Sequence, residues 1–243
     1  MTKLKNVFQR KETKYILNQA TYLKLREQLT PFLEEDDYGL HTIISLYYDS
    51  QNYQLIKQSI EKPTYREKFR IRSYGVPTKD SPVFFEIKKK VKGIVYKRRI
   101  ELSYGEAKHF NYHSLALPSV KDSQVQIKNE INWMMTKYKL IPKVMIAYDR
   151  IALKPLDTEL EDFRVTFDFN IRYREHDLDI SNGDEGEPVA PEFYCLMEVK
   201  SIGAYPLWFT HALSDCHIFK GSFSKYGTTY KRYLNKEETQ HVI

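Results

Sequence analysis

The chain has 243 residues, 42% hydrophobic and 29% charged, and 38 Lys and Arg against 32 Asp and Glu give a net charge of +6. That composition excludes a disordered chain, and the basic excess points to an anionic partner without naming it. Of the nine glycines the closest two, Gly183 and Gly186, are three apart, which excludes the Gly-x-Gly and Gly-x-x-x-x-Gly-Lys phosphate cradles, so side chains must hold any phosphate.

In chain order, Arg10, Glu12 and Lys14 share one face of a first strand, because strand side chains alternate. Asn18 is the expected N-cap of a helix with Tyr22, Leu25, Leu29 and Phe32 on one side, ending near residues 31–34. A shorter helix starting at Ser50 or Asn52 would bury Tyr53, Ile56 and Ile60. In Lys68-Phe69-Arg70-Ile71-Arg72 the three cations oppose the two apolar residues, and from Val83 to Lys90 Phe85 and Ile87 oppose Glu86, Lys88 and Lys90. Lys97, Arg99 and Glu101 share a face on a strand after Gly93. Ser103 with Glu106 reads as a capping box, and Asp122 opens the longest helix, lined by Val125, Ile131, Met134, Met135 and Tyr138. Arg164, Thr166 and Asp168 oppose Val165, Phe167 and Phe169. Residues 172–191 form an acidic, breaker-rich loop that fails as an EF-hand, since Asn182 and Pro188 stand where the turn glycine and the bidentate Glu belong. A last strand, Phe193 to Lys200, sets Phe193, Cys195, Met197 and Val199 against Glu198 and Lys200.

One wet face on an antiparallel sheet is ordinary, but here six strands stack Arg and Lys on it. Cations about 7 Å apart repel by about 2 kcal/mol at an effective dielectric of 20, and an enclosed face needs an anion to relieve that. A barrel with a polar interior and apolar faces turned out against helices satisfies the pattern. The expected fold is therefore α+β: an antiparallel β-barrel forming a basic tunnel, helices packed on the outside, in a single domain over residues 1–243. Two cysteines and seven scattered histidines form no zinc pattern. No run of about 18 apolar residues and no leader is present, so a cytoplasmic chain is expected.

The order Arg10-x-Glu12-x-Lys14-Tyr15, Leu46-Tyr47-Tyr48-Asp49, Phe69-Arg70-Ile71-Arg72, Phe85-Glu86-Ile87-Lys88, Tyr148-Asp149-Arg150, Met197-Glu198-Val199-Lys200 and Ser224-Lys225-Tyr226 resembles the VTC (vacuolar transporter chaperone) domain, a branch of the triphosphate tunnel metalloenzymes, from Phe8 to about Tyr233. The resemblance implies that Lys14, Arg70, Arg72, Lys88, Arg150 and Lys200 grip the triphosphate of ATP, with Lys97 or Arg99 supplying one more cation. It implies roles in substrate binding for Tyr148, Ser224 and Lys225, and Arg164 shares the charged faces. Glu198 would hold Mn²⁺ or Mg²⁺. Arg10 at the first position of the wider superfamily's Glu-x-Glu-x-Lys fits the VTC branch, while Ser222 stands where a basic residue is expected. Neither the SPX domain nor the membrane helices of the eukaryotic transporters has a counterpart here, so a stand-alone, bacterial-type domain is expected, any membrane partner being a separate chain.

The implied reaction moves the γ-phosphoryl group of ATP onto inorganic polyphosphate. The alternatives are hydrolysis of inorganic or nucleoside triphosphate and non-catalytic polyphosphate binding. Glu12, Glu86, Glu101 and Asp168 either serve as a base for water or orient Arg and Lys, and orientation is the favoured role. Nucleic acid is not an expected partner, since the aromatics fall mainly on apolar faces, Tyr148 excepted.

Overall fold

A computed structural model describes residues 10–61, 64–92, 94–108, 110, 120–160 and 162–235. Gly93 and the side chain of Arg10 lie outside the described residues. In chain order the elements are β1 (Arg10–Leu17), α1 (Gln19–Leu29), β2 (Leu33–Glu35), β3 (His41–Asp49), α2 (Gln54–Ile60), β4 (Tyr65–Tyr74), β5 (Pro82–Val91), β6 (Ile94–Ser103), α3 (Tyr104–Ala107), α4 (Val125–Tyr138), β7 (Ile141–Pro155), β8 (Arg164–Arg174), β9 (Glu187–Pro188), β10 (Cys195–Ile202), α5 (Leu207–Asp215) and α6 (Lys225–Thr229). No helix among the described residues is long and apolar enough to cross a membrane.

The chain divides into two compact units, one holding residues up to His41, Asp149–Asn170 and Ala190–Phe223, the other Thr42–Tyr148, Ile171–Val189 and the residues from Ser224 on. In the first unit β10 pairs antiparallel with β1 and with the first half of β8, and β2 pairs with the end of β7. Tyr15, Leu17, Val165, Phe167, Met197 and Val199 bury their alternating side chains against Tyr22, Leu25 and Leu29 of α1 and Phe209 and Leu213 of α5. Each fully buried aliphatic or aromatic side chain is worth about 1.5–3 kcal/mol of transfer free energy, so this face outweighs anything the exposed charges contribute.

In the second unit β3, β4, β5 and β6 pair successively, all antiparallel. Leu46, Tyr48, Phe69, Ile71, Phe85, Ile87 and Ile100 pack with Ile131, Met134 and Met135 of α4. In each unit, then, the apolar strand faces carry the helices, as the alternation required.

Local signals held where a side chain closes a backbone bond. Asn18 Oδ1 accepts from Thr21 N at 2.8 Å, and Ser103 and Glu106 form the reciprocal capping box of α3. Four expectations shift. Phe32 lies past the end of α1 and is exposed. Asp122 opens a 3₁₀ turn ahead of α4, whose buried face is Ile131, Met134 and Met135, with Val125 exposed. α2 buries Leu55 and Ile56 rather than Tyr53, which stands at its N-cap with φ 58°. Phe193 precedes β10, because the antiparallel pairing with β1 begins at Cys195 opposite Leu17.

Candidate functional site

In the second unit, strand register builds a grid on the charged face. Directly opposed residues in antiparallel strands share a face, which gives the rows Ser45–Arg72–Phe84–Glu101, Tyr47–Arg70–Glu86–Arg99, Lys68–Lys88–Lys97 and Arg66–Lys90–Val95. Glu86 is the buried acid of this grid. Its Oε2 takes Arg70 Nε at 2.8 Å and Nη2 at 2.7 Å, with Arg72 Nε 3.8 Å away, while Lys97 Nζ is 2.7 Å from Oε1. Burial alone would raise the Glu86 carboxyl, but the charges of Arg70, Arg72 and Lys97 outweigh it and hold the group down at about 2. It is an anion at any physiological pH, fixed in place as an orienter of cations.

The phenols complete the grid. Arg70 Nη1 donates to Tyr47 Oη at 3.0 Å, and Arg72 Nη2 donates to Tyr148 Oη at 3.2 Å. Burial opposes ionisation of Tyr47, yet Arg70, Lys68 and Arg72 together bring it down to about 8. Lys225 Nζ sits 4.3 Å from the centroid of the Tyr148 ring, and Lys68 Nζ reaches Ser224 Oγ at 3.4 Å. Ser224 also caps α6, its Oγ accepting from Gly227 N at 3.2 Å. Of the two β6 cations left open by sequence, Lys97 joins Glu86, whereas the Arg99 guanidinium lies over the Phe84 ring, 4.7 Å from its centroid. Among the described residues no carboxylate comes within ion-pair distance of Lys88.

The first unit carries a second cluster. Register aligns Lys14 with Glu198 and Thr166, and Glu12 with Lys200 and Arg164. Lys14 Nζ is 3.1 Å from Glu198 Oε1 and 3.8 Å from Glu12 Oε1, and donates to the Phe223 carbonyl at 3.0 Å. Arg150 grips Asp168 with both arms, Nε to Oδ1 at 2.6 Å and Nη2 to Oδ2 at 2.8 Å, and touches Glu198 Oε2 at 3.4 Å. Burial lowers the Lys200 ammonium against the support of Glu12. Arg164 departs from expectation: its guanidinium turns to Asp36 at 2.8 Å rather than to the Lys14–Glu198 cluster, because Asp36 offers an acid at the partly exposed start of β8.

Sequence reasoning placed Lys68 on the charged face but left out Tyr47, Phe84, Arg66 and the central part of Glu86. Parity would have placed Arg66 beside Lys68. Tyr47 hid in a strand whose buried residues run unbroken from Ile43 to Asp49, so alternation gave no signal there.

Among the described residues no three His, Cys, Asp or Glu side chains gather into a metal site. Mg²⁺ and Mn²⁺ that arrive with phosphates need only one or two protein carboxylates. Glu198 and Glu12, both beside Lys14, meet that requirement: the Glu198 oxygens lie 3.1 Å from Lys14 and 3.4 Å from Arg150, a looser hold than the 2.6 and 2.8 Å grip of Arg150 on the two Asp168 oxygens. The donor set fits a metal carried in by its substrate and not a protein-only cage.

The family model for the VTC domain matches residues 9–234. No curated protein matches the sequence. Among solved structures, a Bacillus halodurans protein described as a candidate adenylate cyclase superposes with a TM-score of 0.53 at 16% identity, covering 93% of this chain and 99% of its own. A Hippeastrum protein described as a candidate adenylyl cyclase with a dominant triphosphatase activity gives 0.53 at 12% identity, covering 90% and 94%. At such identities the likeness establishes fold alone, and the fold is the α+β antiparallel tunnel type that the alternation implied.

Proposed function

This chain belongs to the VTC domain family, and we propose from that premise that it moves the terminal phosphoryl group of ATP onto inorganic polyphosphate, releasing ADP. Phosphoryl transfer asks a protein mainly for positioning and charge neutralisation. Arg70 and Arg72, their planes set by Glu86, Tyr47 and Tyr148, would each offer a fork to the phosphate oxygens, and Lys88 and Lys97 would add point charges along the chain. Within the first unit, Arg150, held flat by Asp168, and Lys14 and Lys200 form a cation cluster of the same kind, able to bind phosphate oxygens in the same way. Glu198 with Glu12 would hold the divalent cation, which when bound supplies polarisation of the transferred group.

The state of the carboxylates carries the choice of acceptor. Water attacking a phosphoryl group benefits from a general base, while a terminal polyphosphate oxygen is already ionised and needs none. Glu86, Asp168 and Glu198 are all committed to Arg or Lys, and Glu12 and Glu101 sit at exposed positions. That favours transfer over hydrolysis.

Purified protein with ATP and Mn²⁺, its products resolved on a gel and free phosphate counted, tests the reading. Long polyphosphate with ADP is the expected result. Phosphate alone would make the chain a triphosphatase, and no turnover with retained polyphosphate binding would make it a binding module.

A further inference from the structure

The Tyr47-Tyr48-Asp49 segment has so far contributed one phenol, yet its most buried member is Asp49, a carboxylate with no exposed surface. Its bonds explain why it is there. Oδ1 accepts from Ser50 N and Leu55 N at 2.8 Å each, and Oδ2 from Ile56 N at 3.0 Å. Helix α2 needs this, because the residue at its N-cap, Tyr53, makes no capping bond.

The remaining bond leads elsewhere: Tyr226 donates its phenol proton to Asp49 Oδ2 at 2.9 Å. Tyr226 follows Ser224 and Lys225 directly and stacks on Tyr47, centroids 4.6 Å apart and planes 24° from parallel. Tyr47 is the phenol to which Arg70 donates. The Lys68 ammonium, which reaches Ser224 Oγ, lies 5.9 Å from the centre of the Tyr226 ring. Two arms of the cation grid therefore meet on one ring, and that ring is pinned by one buried carboxylate.

We infer that Asp49 and Tyr226 are positioning residues, a latch that holds Lys225 and the Tyr47–Arg70 pair at the spacing a phosphate chain requires. Lys225 is the first residue of α6, which runs on into a π-helical turn over Tyr230–Leu234, and so short a helical stretch depends on tertiary contacts for its order; without the latch its first turn would fray, and the Lys225 charge would be spread over many placements. Burial and the Asp49 charge push the Tyr226 phenol well above its ordinary range, so it remains a donor throughout the working pH range. The inference rests on the phosphate-chain reading of the grid but concerns residues that touch no substrate.

Tyr226→Phe removes one hydroxyl and keeps the ring. Binding of tripolyphosphate is measured by calorimetry without metal, for wild type, Tyr226→Phe, Lys225→Ala and the double variant, with thermal melting of each. Tyr226→Phe is expected to weaken binding about tenfold in the wild-type background and by less than about twofold when Lys225 is already Ala, because coupled residues lose additivity. Equal effects in both backgrounds, or no effect on binding with a lowered melting temperature, would reduce the pair to a structural brace and overturn the inference. Should wild type fail to bind tripolyphosphate at all, the phosphate-chain reading itself falls, a separate outcome. If Tyr226→Phe misfolds, Asp49→Asn weakens the acceptor of the Tyr226 bond from the other side and must show the same dependence on Lys225.

Discussion

Arg70 and Glu86 stand directly opposite each other on β4 and β5, and the guanidinium closes on one carboxylate oxygen through two nitrogens, at 2.8 and 2.7 Å. Three cations depend on that one acid. Glu86→Gln leaves them uncompensated, and removal of one partner of a buried pair costs about 3–5 kcal/mol, so urea unfolding of the variant should shift by that order. The pH dependence has a definite sign. A folded-state carboxyl held at about 2, against 4.5 when unperturbed, contributes stability that is complete above pH 4.5 and is lost as pH falls towards 2. Wild type should lose stability through that window more steeply than Glu86→Gln; parallel acid titrations of the two would refute the assignment.

Lys88 behaves differently because, among the described residues, it has no acid within ion-pair distance. It stands between Lys68 and Lys97 in one row, and Lys88→Ala removes repulsion rather than attraction. Melting temperature should hold or rise by a degree or two while kcat/KM for ATP falls by about a hundredfold or more, a loss of about 2.7 kcal/mol in transition-state stabilisation. A variant that melts early would instead reveal a structural lysine.

Tyr47, brought down to about 8 by Arg70, Lys68 and Arg72, gives the site an alkaline limit. Above that pH the phenolate neutralises the guanidinium that phosphate needs. Tripolyphosphate affinity is expected to decline through pH 8, and Tyr47→Phe should remove the decline. An unchanged pH profile in the variant would assign the limit to another group.

Glu198 is the test of the metal assignment. Glu198→Ala should abolish Mn²⁺-dependent turnover, yet leave metal-free tripolyphosphate binding intact or tighter, since Lys14 and Arg150 lose a competing anion. Full metal-dependent turnover in that variant would remove Glu198 from the metal site.

The alternation of charge along β1, β4, β5, β6, β8 and β10 was legible because side-chain parity is a local property that no tertiary contact can alter. Lys14, Arg70, Arg72 and Lys88 followed from it directly. What register adds is which cation meets which acid: Glu86 as hub rather than one of four acids, Lys97 rather than Arg99 upon it, and Arg164 drawn away by Asp36. Those depend on pairings between residues far apart in the chain. Asp49 was illegible for a further reason. A buried carboxylate capping a helix from outside looks, in sequence, like the last residue of an apolar strand.

The lysine row of Lys68, Lys88 and Lys97 would also tie the chain's lifetime to a polyanion bound there. The ammonium groups of Lys68 and Lys88 are held near one another in the folded state and dispersed in the unfolded one, with Glu86 offsetting only Lys97, so an anion bound along the row would relieve their repulsion. A ligand at a hundred times its Kd adds about 2.7 kcal/mol of stability, enough to cut the unfolded population, and with it exposure to proteases, by about a hundredfold. With the proposed phosphate chains as that ligand, their supply would set how long each molecule survives, and abundance would follow supply.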